Sequence, residues 1–230
     1  MKKTIVGILL LSFQCWGHPS VKKADLFRTL SFPHSCQISI FDQKANVTSD
    51  FILYFQKQDA LASQTAPAKA KDRKMLMKGS DIWMFTPNIK RPIRISLDQR
   101  LAGDISNGDI LSTNFAEDYN AEEIKEPNAP ADVLVFMLTK KSDTATYAKI
   151  KYFLQRSTLK PIKSIFYAVS GKELKTAQYL DYKKILGQEI FTKVKIQDLA
   201  QGQASTITYS NHKKQKFPES FFNKDAVVNF

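Results

Sequence analysis

The chain has 230 residues, of which 43% are hydrophobic, 24% are charged and two are cysteines. That length suits one domain of the larger all-β kind, or at most two small ones. The cysteine count excludes a disulfide-stapled scaffold, and a net charge of +12 directs attention to anionic partners such as membrane headgroups, an acidic protein or a polyanion.

Residues 1–17 have the form of a secretory signal peptide. Lys2 and Lys3 make a charged start, Ile5 to Phe13 is a short apolar run, and Cys15-Trp16-Gly17 presents small residues before a cut near Gly17. The run is too short for a membrane span of ~20 residues, and no later stretch approaches that length. A retained anchor and a lipidated Cys15 are the competing readings, the latter opposed by Gln14 where a small side chain is wanted. The mature domain is then 18–230, periplasmic, with a charge of +10 once Lys2 and Lys3 are removed. Its one cysteine, Cys36, reads as a small buried hydrophobe. Export and the lack of any recognition motif argue against nucleic acid as a partner.

From Ser20 to Leu30 the spacing is helical, with Val21, Ala24, Phe27 and Leu30 on one side and Ser20 as a cap. The period then changes to two. Cys36, Ile38 and Ile40 alternate with polar residues, Asp42 to Asn46 turns the chain, and Phe51, Leu53 and Phe55 return as the second arm of a hairpin. Residues 56–71, rich in Ala, Gln and Ser, read as a long loop. Lys74–Lys78, Asp81–Thr86 and Pro92–Leu97 form a meander turned at Gly79-Ser80 and Pro87-Asn88.

The acidic stretch 98–130 predicts short helices over 109–117 and 117–125, ended by Pro127. Six strands follow, at 133–139, 146–155, 161–169, 174–183, 189–199 and 205–211, with turn signals that include Lys141-Ser142-Asp143. An aromatic closing segment, 217–230, reads as a helical turn and a last strand.

The later strands are one-sided. Ala148, Ile150, Tyr152 and Leu154 alternate with Tyr147, Lys149, Lys151 and Phe153; Ile190, Val194 and Ile196 alternate with Phe191, Lys193 and Lys195. Such alternation predicts an antiparallel sheet with one wet face. The fold class is mainly β, with about eleven strands in a single curved sheet or two stacked ones. The helical stretches are sufficient to cover part of a concave face, and Met75, Met77, Met84 and Met137 add soft surface to it.

The run Gly79, Asp81, Trp83, Phe85, Pro87, followed by Arg91, Arg94 and Ile95, resembles the outer-membrane lipoprotein-sorting family, the LolA/LolB-like lipid carriers. Thr113-Asn114-Phe115-Ala116-Glu117-Asp118-Tyr119 resembles a later family segment, with Asn114 where an acid is usual, and Phe217-Pro218-Glu219-Ser220-Phe221-Phe222 is similar to its ending. The resemblance implies an incomplete antiparallel barrel whose short helices form a lid over an apolar cavity. It also implies a carrier that takes acyl chains of lipoproteins, or phospholipid, across the periplasm toward the outer membrane. The expected partners are an inner-membrane lipid-export transporter, an outer-membrane acceptor and the membrane surface itself. No cofactor is implied.

An acyl chain of about 16 carbons, at ~0.8 kcal/mol per CH₂, costs on the order of 12 kcal/mol to leave in water, so a carrier has to cover it. The expected cavity residues are Leu53, Phe55, Trp83, Phe85, Ile93, Ile95, Ile150 and Ile196, subject to the register of each strand. Arg91, Arg94 and Phe115 are expected at the lid or a headgroup. Nothing suggests catalysis: His18, His34 and His212 lie far apart in no metal-binding spacing, and no nucleophile or phosphate-loop motif occurs. The alternative is a periplasmic regulatory or scaffold protein of the same fold that senses lipid or lipoprotein.

Overall fold

The computed structural model describes residues 18–79, 81–87, 89–112, 114–142 and 145–227. The expected signal peptide (1–17), the end of the closing strand (228–230), and Ser80, Asn88, Thr113 and Asp143 of the expected turns and motif lie outside the described residues.

The first helix, α1 (Pro19–Asp25), buries Val21 and Ala24. Its cap is His18 rather than Ser20: the His18 Nδ1 accepts from the Ser20 N–H at 3.3 Å. Turns then carry the chain to the expected hairpin, β1 (His34–Asp42) and β2 (Val47–Gln56). The stretch read as a loop contains a third strand, β3 (Asp59–Ala66). Ala60 and Ala62 stand opposite Phe55 and Leu53, so small residues face large ones and both pairs are buried. A strand built on alanine lacks the β-branched and aromatic residues by which strands are recognised.

The meander follows as β4 (Lys74–Lys78), β5 (Asp81–Thr86) and β6 (Ile89–Ile95). A small hairpin, β7 (Arg100–Ala102) and β8 (Ile105–Ser106), leads into α2 (Asn107–Leu111) and α3 (Phe115–Asp118). Where a second acidic helix was expected the chain is extended, as the edge strand β9 (Tyr119–Ile124). The strands β10 (Val133–Lys140), β11 (Lys149–Gln155), β12 (Pro161–Tyr167), β13 (Glu173–Ile185), β14 (Gln188–Asp198) and β15 (Ala204–Lys214) follow their expected places. A last helical turn, α4 (Lys224–Val227), ends the described chain.

Thirteen of these strands make one antiparallel sheet, in the order β6-β5-β4-β3-β2-β1-β15-β14-β13-β12-β11-β10-β9. The sheet is unclosed, and β6 and β9 are its two edges. Residues 96–118 join those edges, so the β7–β8 hairpin, α2 and α3 have to cross the open side. The main core lies between this crossing and the concave face. The outer face is not wet throughout: Leu61, Leu76 and Phe85 form a second apolar cluster with Phe222 and Val227 of the C-terminal segment.

Candidate functional site: a lidded concave face

The concave face is largely apolar, and buried polar side chains tie the cover to it. Leu53, Ile150 and Ile196 are buried in the main core, and Phe55 lies at its margin. Ile95 packs partly against the same core, while Ile93, on the edge strand β6, is 41% exposed. Trp83 and Phe85, expected in the cavity, are on the opposite face. Their neighbours Ile82 and Met84 point to the concave side instead, and Trp83 and Phe85 pack against the C-terminal segment. A strand covered on both faces is apolar at every position, so alternation does not say which set faces the interior.

Arg91 is exposed on β6, and Arg94 makes its ion pair with Asp81 on the neighbouring strand rather than with an acid of the cover. Phe115 is in the cover, buried, with its edge toward Tyr119 at 5.6 Å and Tyr152 at 5.3 Å between centroids.

Two buried polar clusters hold the cover. At one end Asp109 of α2 accepts from the Tyr147 hydroxyl at 2.6 Å and pairs with Lys175 of β13 at 2.9 Å, both side chains of that ion pair being nearly buried. Lys175 also donates to the Asp104 carbonyl at 2.9 Å. Burial, then the Asp109 charge, push the Tyr147 phenol well above its ordinary pKa, so it stays a donor. These bonds clamp α2 to the sheet.

At the other end α3 is latched to α1. The Ala116 N–H donates to Asp25 at 2.8 Å, and Arg28 lies over the Phe115 ring with its guanidinium carbon 3.7 Å from the centroid. Arg28 also donates to the Tyr179 hydroxyl at 3.2 Å and approaches Asp25 at 3.9 Å. Burial pushes the Asp25 carboxyl up to about 7, against the pull of Arg28 and of the Ala116 and Phe115 amides. The Lys141 ammonium donates to the Ala116 carbonyl at 2.9 Å from the far side.

Phe191 belongs to the interior, not to the lysine face. It is buried and lies 4.9 Å from Tyr179 and 6.2 Å from Tyr182, centroid to centroid. Tyr179 and Tyr182 are three residues apart yet meet the same ring, because Asp181 between them has φ 55° and breaks the alternation. The pair Asp25 and Arg28 was visible in the sequence as an i, i+3 spacing. Its burial was not.

Between Arg28, Phe115, Tyr179, Phe191 and Ile196 remains a hollow of about 40 Å³. At ~10–15 Å³ per water this admits a few water molecules, where a ligand of drug size needs roughly 300 Å³ or more. The interior expected to stand open is therefore nearly filled at this point with the lid shut, and a cleft of about 260 Å³ lies beside it, between Leu111, Ser112 and Asp118 of the cover and Phe55, Ala60 and Met77. Larger clefts of about 710 and 750 Å³ open at the two ends of the strands. Among the described residues no group of metal-ligating side chains comes together, and no helix is long and apolar enough to cross a membrane.

An unclosed antiparallel sheet with helices strapped across its apolar hollow defines a lidded half-barrel, an architecture of the lipid-carrier type. A LolA superfamily protein from Nitrosomonas europaea is 32% identical, with a TM-score of 0.84 over 90% of this chain and 96% of that one. The chain belongs to the LolA superfamily. A family model described as an uncharacterized protein matches residues 56–229. The same fold recurs in a putative outer membrane lipoprotein-sorting protein domain from Vibrio parahaemolyticus, at 18% identity and TM-score 0.74 over 90% of this chain and 97% of that one. A DUF1329 family protein from Desulfovibrio piger shares it too, at 20% identity and TM-score 0.74 over 90% and 95%. No curated protein matches the sequence.

Proposed function

We propose that the protein is an exported, non-enzymatic carrier that shelters acyl chains of lipids or lipoproteins against its concave face and passes them toward the outer membrane. The observation that carries this reading is the latch: a short lid helix, held to the first helix by a few named contacts, closing an apolar face over a small inner hollow.

The magnitudes agree with a lid that a guest can displace. Freeing α3 exposes Phe115, at roughly 1.5–3 kcal/mol. It also gives up the bonds from Ala116 to Asp25 and from Lys141 to the Ala116 carbonyl, at ~1.5–3 kcal/mol each, and the contact of Arg28 with the ring, at ~2 kcal/mol. Together these fall short of the ~12 kcal/mol gained by covering a 16-carbon chain. The Asp109–Lys175–Tyr147 clamp leaves α2 anchored, so opening centres on α3 and on residues 26–33. That last segment is itself held by Gln188, which donates to the Thr29 carbonyl at 2.8 Å and accepts from the Ser31 N–H at 3.0 Å.

Native mass spectrometry and lipid extraction of the purified protein test the proposal. Co-purifying lipid, or saturable uptake of a fluorescent fatty acid, is the expected result. A ligand-free protein that takes up neither lipid nor the fluorescent chain would overturn it.

A further inference from the structure

We infer that the cleft beside α1 and α3 is the mouth of the interior, and that its guest is an amphiphile with an anionic headgroup, a phospholipid or a fatty acid. This rests on the carrier reading and adds to it the chemical class of the guest. The cleft, of about 750 Å³, has apolar walls that include Leu26, Leu30, Phe32 and Pro33. It shares Thr29 and Phe55 with the inner hollow, so a chain lying in it already touches the wall behind which the hollow lies.

The rim carries Lys22, Lys57 and Lys216, all exposed and none in an ion pair among the described residues. Glu117 is the one exposed acid among the lining residues; Asp25 is turned inward, onto Ala116 and Arg28. Three lysines against one glutamate leave a surplus of two positive charges over an apolar trough.

The cleft at the other end of the strands is a useful contrast. Its cations are spent within the protein: Arg100 pairs with Asp104 at 3.8 Å and Asp198 at 3.7 Å, Lys175 with Asp109, and Arg94 with Asp81. Of these two clefts, the α1–α3 mouth is the one whose described lysines stand unpaired next to an apolar path inward. A phosphodiester or a carboxylate on an acyl chain matches it, whereas a neutral ester or amide head gains nothing from the lysines.

The test compares probes of matched acyl length in low salt: phosphatidylglycerol, palmitate and diacylglycerol, bound to wild type and to the triple variant Lys22→Gln, Lys57→Gln, Lys216→Gln. Wild type is expected to favour an anionic probe over diacylglycerol by about tenfold, and the triple variant to lose that preference. The ratio of phosphatidylglycerol to palmitate tells a phosphate head from a carboxylate. Equal binding of anionic and neutral probes to wild type, or a preference that survives in the variant, overturns the headgroup assignment and leaves the carrier standing. Failure of all three probes to bind removes both.

Discussion

Arg28 rests on the face of Phe115, its guanidinium carbon 3.7 Å from the ring centroid. The side chain is 7% exposed, so the charge sits against the ring with little water to compete for it. One residue is in the turn after the first helix, the other opens the lid helix, and they are far apart in sequence. The contact therefore reports directly on whether the lid is shut.

Replacing Phe115 by Ala removes a buried ring and the cation's seat together. A loss of about 3 kcal/mol in stability is expected, read from denaturant midpoints. The sharper readout is amide hydrogen exchange, which should speed up in α3 and at Leu26–Thr29 while the amides of β13 and β14 keep their protection. Unchanged exchange in α3 would mean that something other than this pair shuts the lid.

Asp25 gives the lid a pH dependence whose sign follows from its environment. Shut, the carboxyl is held up to about 7 by burial; released into water it returns to the ordinary carboxylate range near 4. The shut state thus binds the proton more readily. Its advantage from this group is complete below about pH 4 and is lost as pH rises through about 7, a change of a few kcal/mol. The charged groups facing Asp25 are Arg28, which favours the anion, and Asp118, which opposes it. Exchange of the α3 amides, corrected for its intrinsic pH dependence, should show more opening at pH 8 than at pH 5. In Asp25→Asn that difference should shrink, because an amide does not titrate over this range; what remains is the share of Asp118, whose pKa burial also raises.

Part of this site was legible in the sequence, and the misses have specific physical causes. Ile150 and Ile196 could be put on the concave face because lysines alternate with them, Lys149 and Lys151 on one strand and Lys193 and Lys195 on the other. Trp83 and Phe85 were misplaced because β5 is covered twice, by the lid side and by the C-terminal aromatic segment. Phe191 was misplaced because the opposing strand breaks step at Asp181, a non-glycine residue with φ 55° that no periodicity announces. β3 and β9 were missed for opposite reasons. One is an interior strand of alanines; the other is an acidic edge strand whose glutamates resemble a helix surface, as edge strands with charged residues often do. The latch itself was out of reach, since Asp25-x-x-Arg28 is indistinguishable in sequence from a solvated helical ion pair.

The two-sided cover of β5 puts Trp83 on the face away from the concave side, out of reach of the guest that the carrier proposal places there. Trp83→Ala is expected to loosen the C-terminal segment, seen as faster proteolysis after Lys216, and to leave acyl-chain binding near the wild-type level. Phe191→Ala, in the interior, is expected to weaken chain binding by about tenfold or more, in line with the ~1.5–3 kcal/mol carried by a buried aromatic side chain. A Trp83→Ala protein that loses its lipid while Phe191→Ala retains it would return the cavity to the outer cluster.

Gly108 fixes how closely α2 lies on the connection between β10 and β11. A Cβ at this position would run into the Thr146 side chain, and the Gly108 N–H is already committed to the Leu97 carbonyl at 2.8 Å, so the helix has no simple way to back off. Gly108→Ala is expected to cost about 1–3 kcal/mol, the usual range for overpacking. Part of that loss should be recovered when Thr146→Ala is added, because the Thr146 Oγ1 and Cγ2 are then gone while the Thr146 Cβ, 2.8 Å from the new Cβ, stays. The double-mutant cycle reads the coupling directly, and values of ~0.5–3 kcal/mol are typical of residues in contact. Additive effects of the two substitutions would show that α2 tolerates a wider gap, and that the Asp109–Lys175 ion pair alone holds it in place.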